Sequence, residues 1–121
     1  MDKLLTGRRL LVVEDEMLVL MMTEGMLVDL GCESVAAAAT VDQAMVLIDA
    51  QTFDVAMLDI NLAGTKSFPV ADALAGRGIP FVFSTGFRGH DMSDGHRDRP
   101  VLNKPYRCEE LAAVLSQLLP P

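Results

Sequence analysis

Runs of consecutive apolar residues alternate along the chain with stretches in which apolar residues recur every three or four positions. Continuous runs are typical of strands buried on both faces of a parallel sheet, and the wider spacing is typical of amphipathic helices. The pattern predicts five strands, at 9–13, 33–37, 53–59, 80–84 and 100–102. It predicts helices over 17–30, from Thr40 through Ile48, from Ser67 to Gly76 and over 109–119.

Strands that alternate with helices require right-handed crossovers, and they build a parallel sheet with helices on both faces. We therefore expect an α/β fold of the flavodoxin-like class, with five strands in the order 2-1-3-4-5. The stretch from Phe87 to Arg99 contains glycines and charges and almost nothing apolar. A helix there has poor propensity and no clear buried stripe, so the fourth helix is predicted to be short or disordered.

Composition limits the classes of protein to which the chain can belong. With 121 residues, half of them hydrophobic, it has length for one domain over 1–121 and enough apolar side chains for a core. A net charge of −7 argues against a nucleic-acid surface, which would be basic. No signal peptide or apolar run of membrane length is present, and Cys32 and Cys108 lack metal or redox spacing. These features favour a cytoplasmic protein that binds neither membranes nor nucleic acid.

Polar side chains that are capable of catalysis or metal binding stand at the ends of four of the five predicted strands. Glu14 and Asp15 follow the first, Asp59 ends the third, Thr85 follows the fourth and Lys104 comes shortly after the fifth. In the expected order the first and third strands are neighbours, so their terminal carboxylates converge at the edge where open α/β sheets bind ligands. Each carboxylate pair about 4 Å apart costs on the order of 4 kcal/mol at an effective dielectric of 20. The cluster therefore needs a cation, and hard oxygen ligands favour Mg²⁺.

A nucleophilic carboxylate beside a cation, a lysine and a hydroxyl is suited to phosphoryl transfer. Each residue alone has an ordinary interpretation: Asp59 as a turn cap, Thr85 as a turn residue, Lys104 as a surface lysine. Their placement at four strand ends in the required order favours a shared site.

These motifs resemble those of bacterial response-regulator receiver domains over residues 8–119. The matching segments are Leu-Val-Val-Glu-Asp-Glu at 11–16, Leu-Asp-Ile-Asn at 58–61, Ser-Thr-Gly at 84–86 and Lys-Pro at 104–105. The resemblance implies that Asp59 is the phosphoacceptor and takes phosphate from a sensor histidine kinase or a histidine phosphotransferase. It further implies roles for the other site residues: Glu14 and Asp15 as the acidic pair for Mg²⁺ with Asp15 as direct ligand, the Asn61 main-chain carbonyl as a further ligand, Thr85 and Lys104 as phosphoryl contacts, and Pro105 after a cis bond.

Residues 80–87 are similar to a subgroup of receivers that carry a Phe-Ala-Thr-Gly-Tyr signature and a poorly formed fourth helix. Receivers usually have Tyr or Phe three residues before the lysine, where the ring turns inward on phosphorylation; here the residue is Val101. We therefore expect 86–99 to be mobile without phosphate, to reorder on phosphorylation and to face the partner.

The favoured function is a phosphorylated, stand-alone receiver that contacts an unknown downstream protein, transfers its phosphate onward or acts as a phosphate sink. Two other functions compete with it. Asp59-Ile60-Asn61 faintly resembles the Asp-x-Asp nucleophile of haloacid-dehalogenase phosphatases, but that motif ends the first strand and carries a second acid. The other alternative is a receiver-like interaction module that works without phosphate. Such a module would lack the phosphoacceptor, one of the acids or the lysine, and none of these is missing here. The chain is thus not expected to be an enzyme beyond self-phosphorylation from phosphodonors and slow autodephosphorylation.

Three remaining groups of residues are assigned structural roles. The eight methionines mostly follow core patterns and are expected to pack internally. His90 and His96 are expected to be solvated loop residues, and Cys32 a small buried residue.

Overall fold

The computed structural model describes residues 3–86 and 99–119, and within them the chain forms an α/β sandwich. In chain order the elements are β1 (Arg9–Val13), α1 (Met17–Asp29), β2 (Ser34–Ala38), α2 (Val41–Ala50), β3 (Val55–Asp59), β4 (Asn61–Leu62), β5 (Thr65–Lys66), α3 (Phe68–Gly76), β6 (Phe81–Thr85), β7 (Val101–Asn103) and α4 (Cys108–Leu118).

Five strands form one parallel sheet in the order β2-β1-β3-β6-β7, which confirms the predicted 2-1-3-4-5 order. In the register, Val13 lies opposite Leu58 and Asp59 lies opposite Ser84. The residues that follow these positions therefore emerge together at one edge of the sheet. This register places the polar strand ends side by side.

Both faces of the sheet are covered, as continuous apolar strands require. Alternate residues of β1 point to opposite sides, so that Leu11 and Val13 belong to one core and Leu10 and Val12 to the other. The first core includes residues of α2 and α3, and the second includes residues of α1 and α4.

The observed helix ends agree with the local signals in the sequence. Thr40 Oγ1 accepts a hydrogen bond from the Gln43 main-chain N–H at 3.1 Å and so caps α2. Gly31 has φ +95° just after α1, a conformation that glycine adopts without steric cost. Element limits differ from the sequence prediction by one or two residues.

Two features were not predicted from the sequence. The first is a short antiparallel hairpin in which β4 pairs with β5 immediately after Asp59. The second is the N-terminal segment, where Leu5 is fully buried and donates a backbone hydrogen bond to the Leu30 carbonyl at 2.9 Å.

The helical spacing of the apolar residues in α1 does not identify its buried face. Leu18, Met21 and Met22 recur at that spacing, but their exposed fractions are 76%, 59% and 59%. The buried residues of α1 are Thr23 and Leu27. The helix is apolar on nearly all sides, so hydrophobic periodicity does not select one face. The expectation that the methionines pack internally fails here for the same reason, although Met57 is buried in β3 and Cys32 is buried as predicted.

The predictions for the fourth helix, for mobility of 86–99 and for His90 and His96 concern residues 87–98, which lie outside the described residues. In the described ranges, no helix has the length and apolar character of a membrane span.

Candidate functional site

The carboxyl ends of the strands border a cavity of about 480 Å³. Its lining includes five residues that the sequence assigned to the site: Asp15, Asp59, Asn61, Thr85 and Lys104. Glu14 joins the group through Lys104, so the structure brings all six candidate residues together.

Three carboxylates form the acidic part of the site. Glu14, Asp15 and Asp59 each offer one oxygen, and these oxygens lie within 4.8 Å of one another. Glu14 and Asp59 are 4% and 5% exposed, whereas Asp15 is exposed. A set of close carboxylate oxygens with one side open to water matches the ligand preference of Mg²⁺, which retains several waters.

Lys104 provides the positive charge within this cluster. Its ammonium donates to Glu14 Oε1 and to Asp59 Oδ2, both at 2.9 Å. Burial acts to lower the pKa of Lys104, but the hydrogen bonds to Glu14 and Asp59 and the charges of these carboxylates together outweigh burial, and the pKa is raised. The ammonium therefore remains charged and holds two carboxylates that would otherwise repel each other.

Glu14 carries much of the electrostatic cost of the cluster. Burial, together with the nearby Asp59 carboxylate, raises its pKa to about 7, against the opposing effect of Lys104. Glu14 Oε2 also accepts a hydrogen bond from the Glu16 main-chain N–H at 3.2 Å. The raised pKa shows that the loss of hydration on burial outweighs the stabilisation that Lys104 gives to the charged form of Glu14.

The β4–β5 hairpin is attached to the acidic cluster at two points. Asp59 Oδ1 accepts from the Asn61 N–H at 3.2 Å, and Asp15 Oδ2 accepts from the Ala63 N–H at 2.9 Å. Ala63 has φ +51°, in the left-handed region, and Gly64 follows with φ +89°. The Ala63 contact was missed in the sequence, where Ala-Gly after Asn-Leu was the one available sign of a tight turn.

Thr85 and Lys104 are connected through the backbone. The Lys104 N–H donates to the Thr85 carbonyl at 2.8 Å, which joins the end of β6 to the loop after β7. The Lys104–Pro105 peptide bond is cis, as expected from the sequence resemblance. Val101 is half-buried and packs against the first core.

Tyr106 and Thr23 form a second link at this edge, which the sequence analysis also missed. Their hydroxyls are hydrogen-bonded with an oxygen separation of 2.5 Å, and both residues are buried. Burial raises the pKa of Tyr106, so its hydroxyl stays protonated. The available signal was the one hydroxyl side chain of a mostly apolar helix, together with the chain's one tyrosine directly after Lys-Pro.

Helix α1 forms one side of the cavity and carries an exposed apolar face. Val19, Met22 and Met26 line the cavity. Of the large hydrophobic residues exposed in the described ranges, most belong to α1: Met17, Leu18, Met21, Met22 and Val28. We call these five residues the α1 face. An apolar surface next to a polar site is typical of a protein contact.

A family profile for the response regulator receiver domain matches residues 10–116, which include every site residue described above. The chain belongs to this family. The sheet order and the acidic cluster at the ends of β1 and β3 agree with that assignment.

Solved structures of other receivers resemble this receiver domain throughout its length. SdrG from Sphingomonas melonis Fr1 is 44% identical, with 94% of this chain and 96% of that chain covered and a TM-score of 0.83. PhyR from Brucella abortus is 31% identical over 98% of this chain and 49% of its own, with a TM-score of 0.81. A third structure is the receiver domain of a Pseudomonas aeruginosa sensor histidine kinase, solved with magnesium in its active-site cleft. It is 24% identical, with 93% of this chain and 98% of that chain covered and a TM-score of 0.77. The last likeness supports the fold alone. No curated protein sequence matches the chain significantly.

Proposed function

We propose that this receiver domain is a Mg²⁺-dependent phosphoacceptor in a phosphorelay, and that Asp59 receives the phosphoryl group from a sensor histidine kinase or a histidine phosphotransferase. The observation that carries the proposal is the position of Asp59. Asp59 ends β3, its carboxylate pairs with Lys104 at 2.9 Å, and it lines the cavity close to the carboxylates of Glu14 and Asp15.

In the proposed step, an Asp59 carboxylate oxygen attacks phosphorus and forms an acyl phosphate. The bond from phosphorus to the donor's imidazole nitrogen breaks, and that nitrogen keeps the electron pair. As the phosphoryl group approaches Asp59, Lys104 donates hydrogen bonds to its negatively charged oxygens. The Thr85 hydroxyl at the end of β6 lines the same cavity and is the candidate for a second donor. Holding these groups in place before the donor arrives is the chain's contribution to the rate.

The acidic residues fit a divalent cation. Glu14, Asp15, Asp59 and the Asn61 main-chain carbonyl would hold Mg²⁺, with Asp15 as a direct ligand. When bound, the ion neutralises the carboxylates and the incoming phosphoryl charge. The closely spaced carboxylate oxygens of Glu14, Asp15 and Asp59 support this choice of metal.

A protein donor must cover the mouth of the cavity to bring its phosphohistidine to Asp59. Because α1 forms one wall of that cavity, we infer that the α1 face is the surface against which the donor docks. Methionine side chains are unbranched and adapt to different surfaces, so such a face can accept a helical partner by repacking.

The signal then passes to a further protein or the phosphoryl group is transferred onward. PhyR of Bartonella quintana, of which the match covers 48%, is an anti-anti-sigma factor. For this chain we propose output through contacts with a downstream protein or through onward phosphoryl transfer, from a single receiver domain over 1–121 in the cytoplasm. No turnover of a separate substrate is proposed.

Phosphorylation by acetyl phosphate tests the proposal directly. The purified chain is incubated with acetyl phosphate and Mg²⁺, and the added phosphoryl mass is located by intact mass and by borohydride trapping of the acyl phosphate. We expect one phosphoryl group on the wild type, none on Asp59→Asn and none with the metal chelated. Asp29→Asn is the matched control, because Asp29 is an exposed aspartate at the end of α1. Label that persists in Asp59→Asn would contradict the assignment, and an unlabelled but folded wild type would favour the phosphate-independent module.

A further inference from the structure

The hydrogen bond between Thr23 and Tyr106 connects two parts of the site that are distant in sequence. Thr23 lies in the middle of α1 with 1% exposure, and Tyr106 follows β7 with 8% exposure. Their hydroxyl oxygens are 2.5 Å apart. Separating the two hydroxyls deprives the buried Tyr106 hydroxyl of this hydrogen bond and costs free energy, so the contact ties α1 to the loop that carries Lys104.

On the loop side, the connection to the phosphorylation site is short. Tyr106 is two residues from Lys104, whose ammonium already touches Asp59. A phosphoryl group on Asp59 provides new oxygens to which Lys104 must turn. Any displacement of Lys104 therefore acts on Tyr106 through two peptide units, and Tyr106 can respond because it borders the cavity.

On the helix side, the connection leads to the α1 face. Thr23 is adjacent to Met22, and Met21 and Leu18 lie on the exposed side of the same turns. A threonine within a helix has an alternative partner in the carbonyl four residues earlier, here that of Val19. The Thr23 hydroxyl therefore has two candidate partners, the Tyr106 hydroxyl to which it is bonded and the Val19 carbonyl within α1.

We propose that the Thr23–Tyr106 hydrogen bond couples the phosphorylation state of Asp59 to the α1 face. This inference rests on the proposed function. A donor that docks on α1 would then meet one surface before transfer and another after it, and the change would favour its release. The coupling needs no aromatic ring at position 101, where this chain has valine.

Methionine methyl NMR provides probes at suitable positions for the test. Beryllofluoride with Mg²⁺ serves as the phosphoryl analogue on a chain labelled with ¹³C at the methionine methyls. Met22 and Met26 line the cavity and report occupancy by proximity, whereas Met17 and Met21 lie on the α1 face and outside the cavity lining. Single Met→Leu substitutions assign the signals.

We expect all four signals to shift in the wild type. In Tyr106→Phe and in Thr23→Val, the shifts of Met22 and Met26 should remain while those of Met17 and Met21 are lost or reduced to a minor fraction. Analogue affinity should change by no more than about tenfold, the upper range for one hydrogen bond. Thr23→Ser keeps a hydroxyl and should restore the Met17 and Met21 shifts, which a purely steric role for Thr23 does not predict.

Two results would overturn the inference in distinguishable ways. If Met17 and Met21 shift as strongly in Tyr106→Phe and Thr23→Val as in the wild type, the coupling is absent while the proposed function stands. If Met22 and Met26 do not shift in the wild type, Asp59 does not accept the analogue, and the proposed function fails together with the inference. The two variants approach the bond from opposite sides, so a folding defect in one leaves the other as the test.

Discussion

Lys104 Nζ lies 2.9 Å from Asp59 Oδ2, and in this position the ammonium stands where a phosphoryl oxygen would need a counter-charge. The same ammonium neutralises Glu14 at 2.9 Å. Before phosphorylation Lys104 thus holds the acidic cluster together. The proposed step would shift this charge from the carboxylates to the phosphoryl group.

Lys104→Ala should separate metal binding from the response to phosphate. Mg²⁺ affinity should stay equal or rise, because a competing cation is removed from beside Asp59. Beryllofluoride affinity should fall roughly ten- to hundredfold, since a charge-assisted hydrogen bond contributes about 1.5–3 kcal/mol. Calorimetric titrations with each ligand measure the two effects. Arg107→Ala is the control, because Arg107 is a nearby cation with 81% side-chain exposure. A loss of Mg²⁺ affinity as large as that in Asp15→Ala would instead give Lys104 a structural role.

Glu14 should make the stability of the metal-free protein depend on pH. Its pKa is raised from 4.5 to about 7, so between these values the folded chain binds more protons than the unfolded chain. The free energy of unfolding should therefore fall as pH rises from about 4.5 to 7, by up to about 3 kcal/mol at 1.36 kcal/mol per pKa unit. Urea unfolding in the presence of a chelator measures this slope.

Glu14→Gln isolates the contribution of Glu14 from that of the other carboxyls. In this variant the free energy of unfolding should not show the fall between pH 4.5 and 7 that is due to Glu14. The variant should be more stable than the wild type near pH 7.5, where Glu14 is charged in the wild type. Identical pH profiles for the two proteins would show that Glu14 ionises normally.

Two glycines in and after α1 should respond to alanine in opposite directions. Gly25→Ala should stabilise the fold by about 0.5–1 kcal/mol, because a methyl group there meets no atom within 4 Å and alanine favours helix. Gly31→Ala should destabilise it by at least about 1–2 kcal/mol, because Gly31 has φ +95° and its Cβ would lie 2.6 Å from Lys3 Cβ. Thermal unfolding compares the two variants. Equal and small shifts in the melting temperature would mean that the segment around Lys3 moves aside with no loss of stability.

The sequence was sufficient for the sheet and for the acidic part of the site because both depend on strand ends. In a parallel sheet the carboxyl ends coincide, so the apolar run that ends in Asp59 and the one before Glu14 predict their own convergence. Lys104 and Thr85 follow from the same rule. None of these positions depends on how a helix is rotated.

The contacts of α1 were not predictable in the same way. Its sequence is apolar around the whole helix, so the pattern alone could not show that Thr23 points inward and Leu18 outward. The rotation of α1 is set by packing against α4 and the sheet, and by the hydrogen bond from Thr23 to Tyr106, 83 residues away. A contact of that separation leaves no periodic signal. The Asp15–Ala63 contact was missed for a similar reason, because it depends on the path of a six-residue hairpin.

Leu18→Glu should impair phosphorylation by a protein donor and leave phosphorylation by acetyl phosphate unchanged. Leu18 is 76% exposed on the α1 face and is absent from the lining of the cavity. The substitution therefore leaves the surroundings of Asp59 unaltered, but it places a charge where a docking partner would bury an apolar side chain. Loss of one well-buried interface contact costs about 1–2 kcal/mol, which corresponds to roughly a five- to thirtyfold slower transfer at donor concentrations below saturation.

The measurement is phosphotransfer from a phosphorylated histidine phosphotransferase, chosen from a panel because it phosphorylates the wild type. Val46→Glu is the matched control: Val46 is 67% exposed on α2, which packs on the opposite face of the sheet. Equal slowing by Val46→Glu would indicate a general charge effect, and unchanged transfer to Leu18→Glu would place the donor on another surface.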